Sequence, residues 1–143
     1  LSDPAMVQYA RDGLDELVGN GVDLLLCNEQ EALMYTRTDS IDAALEALKA
    51  LSKDVVITMG AQGARIHHAG ETFSVAGRKV NAIDTNGAGD CHAGVLCALL
   101  CEGVPLEEAV RCANAASALS VTRSGPATCP DRKEVERLLG RAF

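Results

Sequence analysis

The stretch Asp84-Thr85-Asn86-Gly87-Ala88-Gly89-Asp90 decides how this chain is read. A predicted strand runs into it and a long apolar helix runs out. Its small residues let a ligand approach the backbone closely. The first N–H groups of the helix have no partner within it and point at an anion. No Gly-Lys-Ser/Thr follows, so this is not a Walker A loop. His92 stands where the third glycine of a dinucleotide fingerprint belongs. A carboxylate facing a bound phosphate would repel it, so Asp90 in the first turn needs a reason. Helix capping or dipole stabilisation is one. A general base taking a proton from an acceptor hydroxyl is the other.

Residues 5–18 carry Val7, Leu14, Leu17 and Val18 among charges and predict an amphipathic helix, ended by Gly19-Asn20-Gly21. The start, Leu1-Ser2-Asp3-Pro4, reads like the end of a strand entering a helix, as in a fragment of a longer polypeptide. Residues 22–27 and 54–59 are short apolar runs of the buried parallel-strand type. Helices are predicted from Asn28 to Tyr35 and, after Asp39-Ser40, along Ile41, Ala44, Leu45, Leu48 and Leu51. Residues 64–68 and 71–76 flank Ala69-Gly70 as a hairpin, and 78–83 is taken as a further strand. Helices are expected over 88–102 and 106–122, and from the cap Asp131 through Leu139. This order implies α/β layers around a largely parallel sheet.

The 143 residues suit one domain without an internal linker and bury a core without staples. Scarce aromatics and absent Trp fit helices packed on a sheet. With a net charge of −7 and scattered basic residues, nucleic acid is not an expected partner. Cys27, Cys91, Cys97, Cys101, Cys112 and Cys129 form no C-x-x-C pair and read as core thiols in a reducing cytoplasm. No membrane segment is expected.

Asp-Thr-x-Gly-Ala-Gly-Asp resembles the second signature of the ribokinase/PfkB family of carbohydrate and nucleoside kinases. Asn28-Glu29-Gln30-Glu31 is similar to that family's N-x-x-E motif. Residues 57–63 resemble its nucleotide-contacting strand end, and 114–118 with 121–125 its Ala-rich helix and following loop. The resemblance spans nearly the whole chain. It implies the C-terminal portion of a ribokinase-like three-layer α/β fold, a mainly parallel sheet flanked by helices. Residues 1–143 would be the nucleotide-binding, catalytic part; the N-terminal substrate and lid part is absent from this chain.

By that resemblance Asp90 is the catalytic base, and Gly87, Ala88 and Gly89 form the anion hole. Thr58, Gly60 and Gly63 line the ATP site, with Asn114 near the adenine. Asn28 and Glu31 organise Mg²⁺ through water. A monovalent cation, K⁺, is implied at the Asp84 carboxylate and the carbonyls of Asn86, Ser120, Arg123 and Gly125. His92 and Val95 depart from the signature, and Cys129 falls near a serine that often helps bind the cation. The implied activity moves the γ-phosphate of ATP to a hydroxyl of a small sugar. A nucleoside or vitamin-precursor acceptor, or an inactive nucleotide-binding fragment, are the alternatives. This portion alone is expected to be inactive, its partners being the small-molecule acceptor, the missing N-terminal half and a second copy in a homodimer.

Plainer roles exist for several of these residues. Asn28 and Glu31, three apart, fit a capping box. Gly63 fits a simple turn, Asp84 a carboxylate satisfied by backbone donors, and His92 a packed helix residue. His67 and His68 fit solvent-facing positions on a hairpin strand.

Overall fold

The computed structural model describes Val7, Tyr9, residues 11–19 and residues 21–143. The reading of Ser2-Asp3-Pro4 and the placement of Asn20 lie outside the described residues. Helix α1 spans Arg11–Val18, strand β1 Val22–Asn28, and helices α2 and α3 Glu29–Thr36 and Ile41–Leu48. Strand β2 runs over Ser52–Thr58, and a single 3₁₀ turn, Gly60–Gln62, leads to β3 at Gly63–His68 and β4 at Glu71–Ala76. Helices α4, α5 and α6 cover Ala88–Cys101, Leu106–Ser120 and Arg132–Leu139. The strands form one sheet in the order β1-β2-β3-β4.

The chain divides into two compact units, residues 1–59 with 65–74, and residues 60–64 with 75–143. In the first, β1 and β2 pair in parallel from Val22 opposite Ser52 to Asn28 opposite Thr58. Parallel neighbours need a crossover between them, which α2 and α3 supply. Val55, Val56 and Ile57 are wholly buried in succession, as a strand covered on both faces requires. Leu45 and Leu48 of α3 join Leu25, Cys27 and Tyr35 in this core. Arg11 donates to the Tyr35 carbonyl at 2.6 Å, and the Tyr35 hydroxyl donates to Asp15 at 2.6 Å. These bonds tie α1 down, whereas Leu17, expected on its apolar face, is exposed.

In the second unit α4 packs on α5 and α5 on α6. Along α5, Ala109, Ala113, Ala115 and Ala116 are fully buried, so this helix contributes small side chains that let its neighbours approach.

Two expectations are corrected. Residues 78–83 form no strand. Val80 and Ile83 are exposed, and the Ile83 and Asp84 N–H groups both donate to the Val121 carbonyl instead of a ladder. The cysteines are not all core thiols: Cys27, Cys91 and Cys112 are buried, while Cys97, Cys101 and Cys129 are exposed. Among the described residues no helix is long and apolar enough to cross a membrane.

Candidate active site

The site begins where α4 begins. Gly87 is its N-cap and lies in the left-handed region, φ 74° and ψ 2°, with no side chain to close the helix end. A Cβ there would stand 2.1 Å from the Pro126 carbonyl oxygen, so only glycine fits both the dihedral and the space. The Ser117 hydroxyl donates to the Ala88 carbonyl at 3.0 Å and straps the first turn to α5.

The N–H of Ala88 is used by the Thr85 carbonyl at 3.2 Å. In this structure the N–H of Ala88, an expected anion donor, is thus engaged within the turn. The N–H groups of Gly87, Gly89 and Asp90 have no acceptor among the described residues, as helix starts dictate. A Cβ added at Gly89 would meet nothing within 4 Å beyond its own helix. Asp90 is exposed, and its carboxylate has no hydrogen-bond or ionic partner among the described residues. Backbone donors and a free carboxylate thus share one helical turn.

Asp84 precedes this turn and is half-buried. Its carboxylate accepts from the N–H of Asn86 at 3.0 Å and of Gly125 at 2.9 Å. These two bonds, the Asn86 one foremost, hold its pKa below the usual carboxylate value. The Thr128 hydroxyl lies 3.0 Å from the Ser120 carbonyl and 3.3 Å from the Gly125 carbonyl, so both oxygens face one point. Arg123 is anchored by its side chain to Glu134. Oxygen is the donor type a hard cation takes, but here the two carbonyls meet at the Thr128 hydroxyl and the Asp84 carboxylate is satisfied by backbone N–H groups.

The Gly60–Gln62 turn and Gly63 belong to the same unit. Gly60 has φ 54° and Gly63 φ 102°. A Cβ on Gly63 would meet the Val75 carbonyl oxygen at 2.0 Å, and one on Gly77 would meet the Ala61 carbonyl at 2.6 Å. The Gly77 N–H donates to the Gln62 carbonyl. Gly63 is therefore more than a turn glycine. Asn114, expected near the adenine, is buried, and its amide is engaged internally with His92 and the carbonyls of Val75 and Ala76.

Asn28, Glu31 and Thr58 lie in the first unit. Asn28 and Thr58 are partners at the end of the β1–β2 ladder. Asn28 and Glu31 make a complete capping box for α2. Both Glu31 carboxylate oxygens accept from Asn28, at 2.9 and 2.8 Å, and the residue is 3% exposed. Such a carboxylate is a poor direct ligand for Mg²⁺, which keeps most of its water. No group of three or more His, Cys, Asp or Glu residues suited to a metal occurs among the described residues.

The profile of the pfkB family carbohydrate kinases matches residues 1–133. The chain belongs to the pfkB family. Ribokinase of Haemophilus influenzae is 35% identical over 147 aligned positions, covering 97% of this chain and 46% of that protein. A structure of a ribokinase II from Escherichia coli, in complex with ATP and Mg²⁺, superimposes with a TM-score of 0.85 at 30% identity, over 96% of this chain and 46% of that one. Adenosine kinase of Sinorhizobium meliloti superimposes with a TM-score of 0.84 at 28% identity, over 96% and 42%. The fold is therefore ribokinase-like and partial; the chain spans under half the length of these relatives.

The residues singled out in the sequence, Asp84, Gly87, Ala88, Gly89 and Asp90, all lie in the second unit, at or just before the start of α4. Sequence reasoning missed Pro126, Thr128 and Gly77. Pro126 acts through its backbone carbonyl and Thr128 through a hydroxyl that donates to two carbonyls, which no motif spells out. Gly77 carried one available signal, a glycine directly after a predicted strand.

Proposed function

We propose that the complete polypeptide transfers the γ-phosphate of ATP to a hydroxyl of a small sugar. The observation that carries this reading is the opening of α4, where unpaired N–H groups and the unpaired Asp90 carboxylate occupy one turn. Phosphoryl transfer asks mainly for positioning and charge stabilisation. The N–H groups of Gly87, Gly89 and Asp90 steady the transferring phosphoryl. Asp90 takes the proton of the acceptor hydroxyl; the carboxyl becomes neutral as the phosphoryl arrives, which removes the repulsion that made an aspartate here anomalous.

Thr58, Gly60 and Gly63 line the nucleotide. Asn114 acts indirectly, through the Val75 and Ala76 carbonyls that its amide already engages. Mg²⁺ would neutralise phosphate charge when bound, and Asn28 and Glu31 reach it only through water, given the capping box. Asp84 with the carbonyls of Ser120 and Gly125 would hold K⁺, completed by those of Asn86 and Arg123. Residues 1–143 are the nucleotide-binding, catalytic portion, inactive without the remaining polypeptide. A nucleoside acceptor is the second reading, favoured by the likeness to adenosine kinase.

The test is ATP consumption by the complete polypeptide with ribose, fructose and adenosine, for wild type and Asp90→Asn. The substitution is expected to lower kcat by roughly 10²–10⁴-fold, the usual weight of a general base, while calorimetric ATP affinity is kept. A variant that turns over at the wild-type rate removes Asp90 from the base role. A wild type that consumes no ATP with any hydroxyl acceptor removes the kinase reading.

A further inference from the structure

Asn114 lies on α5 and is 8% exposed; His92 lies on α4, two residues beyond Asp90, and is 3% exposed. The Asn114 amide nitrogen donates to the Val75 carbonyl at 3.4 Å and the Ala76 carbonyl at 3.3 Å. Both amide protons are thereby used on the exit of β4. The Asn114 oxygen, 3.0 Å from His92 Nε2, must accept. The proton of the imidazole therefore sits on Nε2. His92 Nδ1 is a bare lone pair, buried and without a hydrogen-bond partner. Burial holds the His92 pKa below its usual value, so the ring is neutral and donates in one direction only.

The exit of β4 matters because of what leans on it. The Val75 carbonyl that Asn114 holds is the oxygen a Cβ on Gly63 would strike, and Gly77 faces Ala61 and Gly63 at similarly close range. The Gly77 N–H closes this contact on the Gln62 carbonyl at 3.2 Å. Two backbone segments touch with no side chain between them, so a shift of residues 75–77 is passed directly to residues 61–63.

We infer that His92 and Asn114 are a positioning pair, which sets the Gly60–Gly63 loop at a fixed distance from the α4 turn that carries Gly89 and Asp90. This rests on the kinase reading, in which that loop lines ATP and that turn receives its γ-phosphate. The pair touches no reacting atom. Its effect is to keep the two ends of one bound nucleotide in register, through bonds from α4 to α5 and from α5 to the end of β4. A buried acceptor deprived of its donor is costly, so losing the His92 proton loosens Asn114 and then the β4 exit.

The experiment uses the complete polypeptide with His92→Phe and His92→Gln. Phenylalanine fills the space and removes the donor; glutamine restores a donor to the Asn114 oxygen. His92→Phe is expected to raise KM for ATP about tenfold, the order expected from an unsatisfied buried acceptor, with KM for the hydroxyl acceptor unchanged. Exchange of the Gly77 amide hydrogen should quicken in parallel. His92→Gln should return both to within about twofold of wild type. A purely structural role would lower Tm and leave KM for ATP and the Gly77 amide as they were; that result overturns the inference. So does faster exchange with an unchanged KM for ATP in an enzyme that turns over. If the wild type consumes no ATP, the kinase reading and the nucleotide role fall together. The physical link from His92 to residues 75–77 is then judged on Gly77 exchange alone.

Discussion

Helices α2, α4 and α6 each carry an acidic residue at the third helical position, Glu31, Asp90 and Glu134. Two are consumed locally. Glu134 accepts from the Asp131 backbone N–H at 3.0 Å while Asp131 accepts from the Glu134 N–H at 2.8 Å. Glu31 does the same with Asn28. Asp90 does not. The difference lies in the cap: Asn28 and Asp131 are extended, with φ of −90° and −76°, and bring a side chain, whereas Gly87 sits at φ 74° and brings none. One change of backbone hand leaves an acid and its neighbouring donors free for a ligand. A carboxylate at the same helical position is thus bonded to its cap in two helices and left unpaired, among the described residues, in the third.

The largest effect that would break this comparison is kinetic. If Asp90 were structural like Glu134, Asp90→Asn would lower Tm and spare turnover; the expected outcome is the reverse, a loss of roughly 10²–10⁴-fold in kcat with Tm little changed. Gly87→Ala comes next. Left-handed alanine costs roughly 1–2 kcal/mol, and the 2.1 Å approach to the Pro126 carbonyl adds to it. Thermal unfolding should show a fall in Tm together with lost activity, through displaced backbone and not through an obstructed anion site. An alanine variant that melts like wild type would show that the loop to Pro126 yields. The smallest effect sharpens the contrast: Asp131→Ala should cost about 1 kcal/mol in denaturant unfolding, the typical loss for an N-cap, with kcat unaltered.

Helix α6 was legible because its signal is local: Asp131 caps it directly and the charged and apolar residues follow up to Leu139. The hairpin was legible for the same reason. Residues 78–83 were not, because strand formation is decided by a partner: the Ile83 N–H went to Val121, 38 positions on, and took the segment out of any ladder. At the site, the residue types at the start of α4 could be read, but not their exposure or pairing. The Pro126 carbonyl that forces glycine at position 87, the hydroxyl of Thr128, and the bonds that turn Asn114 inward all come from distant parts of the chain. Neighbouring sequence also hid that Cys97 and Cys101 face outward, since apolar residues surround both on α4.

The tip of the β3–β4 hairpin carries one further consequence. Ala69 and Gly70 are its two turn residues, and both have positive φ, 51° and 85°. That hand suits a two-residue hairpin, but alanine is an expensive occupant of the first position, where asparagine is the residue of choice. Ala69→Asn should raise stability in denaturant unfolding by about 1 kcal/mol, since it relieves much of that strain. The turn is thus a reserve of robustness open to engineering in a segment outside the α4 turn that carries the proposed chemistry.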